Sequence, residues 1–281
     1  MRGAMAAGGA AALAGTIAAP AATHRIRGVG ETAPLGKTGI KVSLLGCGTG
    51  TVGGPTSSNQ TRLGQEAFTR MVRHAYDTGV SFFDAAEWYG SHTFLREALN
   101  GVRRDTYVIE TKIWFRRTQD VPAALERFRT ELGTDYIDIV LLHSAARGTW
   151  PEDLRPLRDA LSEAKQNGVI RAHGVSCHGL DPLQAASELD WVDVILARIN
   201  HKGVNMDAEP ERVVPLLQKM HEAGKGVTGM KILGEGRIAD ERDESLRYVL
   251  GLPCVHSIVI GFESVPQIDD IVRRIEGIRA G

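Results

Sequence analysis

Strand-like and helix-like runs alternate from about residue 43 to the end of this 281-residue chain, and that alternation constrains the fold more than any single motif. Strand-like runs fall at 43–47, 81–85, 107–112, 137–143, 171–176, 192–200, 227–233 and 257–261. Helical periodicity fills the intervals, at roughly 65–78, 93–100, 122–132, 151–167, 182–189, 210–223, 241–250 and 265–278. Leu154, Leu157, Leu161 and Ala164, for example, share one helical face that can cover a strand. Pro151, Pro182 and Pro210 open helical patterns, and Gly79, Gly168 and Gly224 follow their ends. Runs such as Ile137-Asp138-Ile139-Val140-Leu141-Leu142 are too uniformly apolar for a sheet with one wet face, so the sheet is parallel and covered on both sides. Eight strand–helix units predict a single α/β domain, a (β/α)8 TIM barrel of about 250 residues, preceded by an N-terminal β-hairpin over 35–43. An open doubly wound sheet is the rival. Gly46-Cys47-Gly48-Thr49-Gly50 begins like its nucleotide fingerprint, but no helix opens directly behind it.

A net charge of −1 and an isoelectric point near 6.8 offer no basic surface for nucleic acid. Cys47, Cys177 and Cys254 are widely spaced free thiols without a zinc pattern. The N-terminus differs in kind. Residues 3–23 carry no charge and are mostly Ala and Gly, Arg2 precedes them, and Ala19-Pro20-Ala21 fits a small-x-small cleavage pattern. This reads as a secretory or twin-arginine-type signal toward the periplasm, although the arginine pair itself is missing; a disordered tail on a cytoplasmic protein is the alternative. Ala and Gly partition too weakly into lipid for a stable membrane anchor. The expected organisation is a signal-like or disordered segment over 1–27 and a barrel domain over 28–281, as a monomer or small homo-oligomer.

Four reactive side chains fall at strand ends. Asp84 and Tyr89 follow Ser81-Phe82-Phe83, Lys112 ends Ile109-Glu110-Thr111-Lys112, and His143 ends Val140-Leu141-Leu142-His143. In a parallel barrel such positions face one mouth. An acid, a phenol, an amine and an imidazole there can pass a proton to a carbonyl oxygen while hydride arrives from elsewhere. Singly, each has a plainer role: Asp84 as a helix N-cap, Tyr89 as a loop aromatic, Lys112 as a solvated charge, His143 as a core histidine. Their joint occurrence at successive strand ends favours chemistry.

The stretch Gly79-Val80-Ser81-Phe82-Phe83-Asp84-Ala85-Ala86-Glu87-Trp88-Tyr89-Gly90, with Thr111-Lys112 and Leu141-Leu142-His143, resembles the signature of the aldo-keto reductase superfamily. The resemblance extends over essentially everything after Leu35, including Gly48 and Thr49 of the first strand end. It implies reduction of an aldehyde or ketone with NADP(H), or with NAD(H). Tyr89 would be the general acid, Lys112 would lower its pKa, Asp84 would hold Lys112, and His143 would orient the carbonyl.

On the cofactor side the resemblance is less complete. Ser176 and Cys177 occupy the place of the family's Ser-Asn carboxamide grip, and Leu196 stands where a Gln faces the nicotinamide ring. Lys231, Leu233, Gly234 and Gly236 fall in the loop that wraps the pyrophosphate, with Arg237 beside them. Gly261, Ser264 and Gln267 fall at the adenosine end, Gln267 where Arg is common and Glu263 ill-suited to a phosphate. NADP(H) preference is thus inherited from the superfamily rather than displayed by these residues. Trp88, Trp114 and Phe115 would wall the substrate pocket, with Trp150 adding from the next loop, and the absence of a long C-terminal loop after the last helix implies an open site.

Two rival functions carry weight. The substitutions at Cys177 and Leu196 suggest a non-catalytic, nicotinamide-binding regulatory subunit of the same fold. Asp84, His143, His173 and His178 suggest a metal-dependent barrel hydrolase, but no HxH or HExxH pattern occurs, so no metal is expected.

Overall fold

The computed structural model describes residues 26–118 and 120–280. Its eight central strands are β1 (Leu45–Gly48), β2 (Phe82–Asp84), β3 (Val108–Ile113), β4 (Ile137–Ala145), β5 (Ile170–Cys177), β6 (Val194–Arg198), β7 (Gly226–Met230) and β8 (Ser257–Gly261). They pair in chain order, all parallel, and β8 returns to β1 to close the barrel. This is the (β/α)8 barrel that the alternation predicts. Inward side chains, among them Phe82, Val108, Ile139, Leu141, Leu196 and Val259, form one apolar core inside the ring. Their alternates, such as Ile109, Val140, Val175 and Ile195, join a second core beneath the helices. Both faces of each strand are dry, which is why the strands read as continuous apolar runs.

The helix Val121–Leu132 shows how local sequence builds the outer layer. The Asp120 carboxylate accepts the Ala123 N–H at 3.0 Å, Pro122 stands in the first turn, and Gly133 ends the helix. Val121, Ala124, Leu125, Phe128 and Leu132 then face the barrel at helical spacing. The expected single helix over 151–167 is two, Trp150–Asp153 and Arg155–Gln166, with the break at Leu154. Pro156, which lacks an N–H, starts the second one.

The hairpin is present, with Ala33–Pro34 antiparallel to Lys41–Val42. Leu35, Ile40 and Val42 are fully buried in the inner core, so the hairpin plugs the floor of the barrel at the N-terminal ends of its strands. Burying each of these side chains stabilises the plug by roughly 1.5–3 kcal/mol. Just ahead of residue 28, Arg27 donates to the Glu31 carbonyl at 2.8 Å and also reaches the His256 carbonyl, and Ile26 packs on the outer core. Residues 1–25 of the signal-like segment lie outside the described residues. Among the described residues no helix is long and apolar enough to cross a membrane.

Candidate active site

Asp84, Tyr89, Lys112 and His143 converge at the C-terminal mouth of the barrel, in a cleft of about 920 Å³. Beyond β2 the chain turns outward through a 3-10 turn, Glu87–Tyr89, and stops at Gly90 with φ +63°. A Cβ on Gly90 would lie 2.2 Å from the Thr56 carbonyl oxygen, and one on Gly50 would lie 2.2 Å from the Tyr89 ring. Glycine at both places lets the loop after β1 close against the tyrosine. Glu87 holds the turn from the other side: its carboxylate accepts the Trp114 N–H at 2.9 Å and the Thr118 hydroxyl at 2.8 Å, and pairs with Arg127.

Lys112 is 1% exposed. Its ammonium pairs with Asp84, donates to the Ala85 carbonyl at 2.8 Å, and lies 5.1 Å from the centroid of the Tyr89 ring. Burial pulls its pKa down, but Asp84 and then Tyr89 more than offset that, so the amine is held charged. The Tyr89 hydroxyl is pushed up to about 12. Burial is the largest cause; Lys112 pulls the other way, and Asp84 and Glu110 add to the rise. Lys112 thus favours the phenolate as expected, but loss of solvent outweighs it.

Near the end of β4 the pairing with β5 slips between Leu142 and Ala145, and Ser144 takes a left-handed φ of +64°. Such irregularities re-aim side chains beside active sites. Here His143 Nε2 comes to 3.4 Å from the Tyr89 hydroxyl, the two rings edge to face. Burial first, then Lys112, His178, Arg116 and Lys231, keep this imidazole well below its usual pKa, so it is neutral. The Ser144 N–H donates to Ser176 Oγ at 2.8 Å, which leaves the Ser176 hydroxyl proton to donate into the cleft.

Of the residues expected to bind cofactor, Gly48, Ser176, Lys231, Leu233, Gly236, Gly261 and Gln267 line the cleft. The others stand behind it. Thr49 turns its hydroxyl to the Asp84 carbonyl at 2.8 Å and to Ser91. Cys177 alternates with Ser176 and points into the helix-facing core, where burial raises its thiol pKa well above the ordinary value. Leu196 belongs to the inner barrel core, Gly234 packs against Val204, and Ser264 precedes the final helix (Val265–Ala280) outside the wall.

Trp88 and Trp114 line the cleft as a stacked pair, 4.6 Å between centroids, flanked by Arg117 and Arg116. Phe115 does not reach the cleft; it packs on the outer core under Arg116. Trp150 is also turned away, buried between helices with its indole N–H on the Pro182 carbonyl at 3.1 Å.

Several cleft residues escaped the sequence reading: Asn59, Glu235, Arg242 and Asp270, while His178 was considered only as a metal ligand. Asn59 opens a short helix, Asn59–Arg62, announced by a capping box between Ser58 and Thr61. Arg242 pairs with Asp270 at 3.0 Å, and Arg273 and Arg274 also spend their charge on Asp270. Glu110, two residues before Lys112 and on the same inward face, is fully buried; a period-of-two count back from Lys112 would have found it. The hydrolase set does not converge, because His173 stacks on Trp191 at 4.3 Å on the helix side while Asp84, His143 and His178 line the cleft. Among the described residues no group of three or more His, Cys, Asp or Glu is placed to hold a metal ion.

A model of the Aldo/keto reductase family matches residues 44–249. The chain is 26% identical to L-galactose dehydrogenase of Arabidopsis thaliana, over 87% of this chain and 88% of that one. It is 27% identical to the NADH-specific methylglyoxal reductase of Escherichia coli K12, over 59% and 57% respectively. A putative aldo-keto reductase from Pseudomonas aeruginosa has the same fold, with a TM-score of 0.73 at 24% identity over 89% of this chain and 96% of that one. So has an aldo-keto reductase from Bacillus halodurans in its holo form, at 0.72 and 21% identity, over 88% and 91%. With residues 44–249 inside the family's pattern and the eight strands closed into a barrel, this chain belongs to the aldo/keto reductase family of oxidoreductases.

Proposed function

We propose that this protein reduces an aldehyde or ketone to the alcohol with NADPH or NADH, and that Tyr89 is the proton donor. One observation carries the reading: the Tyr89 hydroxyl and His143 Nε2 lie 3.4 Å apart above a buried Lys112–Asp84 ion pair. Neutral His143 donates a hydrogen bond to the carbonyl oxygen and sets its angle. Tyr89, protonated throughout the neutral range, gives its proton to that oxygen as negative charge builds there. The Lys112 ammonium stabilises the phenolate left behind, and Asp84 keeps the ammonium in place.

The residues present fit a dinucleotide. A cleft of about 920 Å³ is at the upper end of small-molecule sites, about 300–1,000 Å³. The Ser176 hydroxyl would take the carboxamide, and Lys231 and Arg242 would meet phosphate, near the Gly236 turn. A bound reduced nicotinamide supplies the hydride. The names of the two relatives, a dehydrogenase of L-galactose and a reductase of methylglyoxal, support a small oxygenated substrate. Fluorescence titration of the purified protein with NADPH and with NADH, followed by turnover of simple aldehydes, tests the reading. Saturable binding with turnover is expected; binding without turnover of any carbonyl would favour a regulatory subunit instead.

A further inference from the structure

Glu110 is a buried acid that the chemistry above does not use. β3 sets Val108, Glu110 and Lys112 on its inward face, in the middle of the barrel. The residue is 0% exposed, no donor among the described residues meets Oε1 or Oε2, and the Asp84 carboxylate lies within hydrogen-bonding reach. Its register partners are Asp84 on β2 and Ile139 on β4.

The ionisable groups that face it are Asp84 from β2, Lys112 from β3 itself, and Tyr89 from the turn after β2. Cys47 on β1 reaches only as far as Asp84, and its thiol is pushed up to about 12, chiefly by burial. β4 sets Ile139 and Leu141 alongside, with neutral His143 nearer the mouth. An ionised carboxylate without water or hydrogen bonds is strongly disfavoured, and a second carboxylate beside it makes matters worse. Two adjacent carboxyls settle this by sharing one proton. Asp84 is committed to Lys112, so the proton rests on Glu110. In keeping with that geometry, burial and then Asp84 raise the Glu110 pKa well above the carboxylate range, against the pull of Lys112.

We propose that Glu110 is a positioning acid: a neutral carboxyl that donates its proton to Asp84, holds that carboxylate on Lys112, and keeps the buried Asp84–Glu110–Lys112 set without net charge under Tyr89. The consequence rests on the proposed role of Tyr89. Once rising pH removes the Glu110 proton, the set becomes negative and opposes phenolate formation at Tyr89. Alcohol oxidation needs the phenolate as base, so Glu110 holds that direction back in alkaline solution.

Infrared difference spectra of the full-length protein, wild type minus E110Q at neutral pH, read the protonation state without any turnover. The carbonyl stretch of a protonated acid is expected in wild type and lost in E110Q; its absence from wild type would overturn the proposal. In kinetics, E110L should lower kcat for aldehyde reduction about tenfold or more with KM nearly constant. E110Q, whose amide still donates to Asp84, should recover most of that loss and shift the alkaline limb of alcohol oxidation to lower pH. An E110Q profile that superimposes on wild type, or an E110Q no better than a folded E110L, would overturn the positioning role. Should E110L not fold, the infrared band and the E110Q profile decide. A wild type that turns over no carbonyl sinks the proposed reductase activity, and the infrared band then decides Glu110 alone.

Discussion

Glu87 and Trp114 join two loops that the barrel by itself leaves independent: the Glu87 carboxylate accepts the Trp114 backbone N–H at 2.9 Å. The first loop carries Tyr89 and the second carries half of the Trp88–Trp114 stack, so one side chain aligns Tyr89 with the tryptophan wall of the cleft. Glu87→Ala removes this bond together with those to Thr118 and Arg127. We expect a loss of about 1–3 kcal/mol in kcat/KM, with thermal stability lowered by a few degrees. Steady-state kinetics and a melting curve check both; unchanged kinetics would show that the Trp pair aligns itself.

Tyr89→Phe should cut turnover by about 10²–10⁴-fold, the size of a lost general acid, with NADPH binding nearly intact. The pH profile follows from the same group. A proton donor works fully below its pKa and fails as pH rises through it. With the Tyr89 hydroxyl pushed up to about 12, reduction should stay level across the neutral range and decline only in strong alkali. The acid limb from His143 should lie well below the ordinary imidazole value of about 6.5. Activity measured across that range, with tyrosinate absorbance compared between wild type and Tyr89→Phe, gives both limbs. A limb assigned to Tyr89 near the ordinary phenol value, about 10, would mean that Lys112 outweighs burial.

Lys112→Met leaves the Asp84 carboxylate buried without its cation. Breaking one side of such a pair costs about 3–5 kcal/mol, whereas removing both sides costs much less. The double variant Asp84→Asn/Lys112→Met should therefore melt above Lys112→Met alone. Urea unfolding of Asp84→Asn, Lys112→Met and the double variant measures the difference. Additive losses would show that the pair contributes nothing as a pair.

The cations near the cleft are already paired: Arg242 with Asp270, Lys231 with Glu235, Arg274 with Asp270 and Asp243. Hydrogen bonds from Arg274 and then Arg242 keep the Asp270 carboxyl ionised down to about 2. Gln267, on the cleft wall, accepts the Glu263 N–H at 2.7 Å instead of offering charge. NADPH and NADH should bind within about tenfold of each other, since a charge-assisted contact of about 1.5–3 kcal/mol is missing. Gln267→Arg should tighten NADPH selectively by about one decade. A wild type that prefers NADPH a thousandfold would mean that Arg242 leaves Asp270 for the 2′-phosphate.

The barrel was legible because its signal is redundant: each strand reads apolar on both faces, and Asp84, Lys112 and His143 fall at successive strand ends. What was not legible lies past those ends, where alternation stops being a guide. Cys177 beside Ser176 looks like a cleft residue in one dimension, yet consecutive strand residues face opposite ways. Trp150 reads as a loop aromatic, but it opens the short helix Trp150–Asp153 and its indole N–H is spent on the Pro182 carbonyl. Arg242 comes from a segment whose path two short 3-10 turns decide, Gly234–Gly236 and Ala239–Glu241, and no periodicity marks either. Glu110 was legible and passed over, because a buried acid inside an apolar strand carries no motif.

The hairpin that fills the bottom of the barrel with Leu35, Ile40 and Val42 seals the apolar layer inside the ring from water on that side. The wet cleft and the dry floor sit at opposite ends of the same strands, so damage to this ribbon should register in the melting curve before it registers around Tyr89.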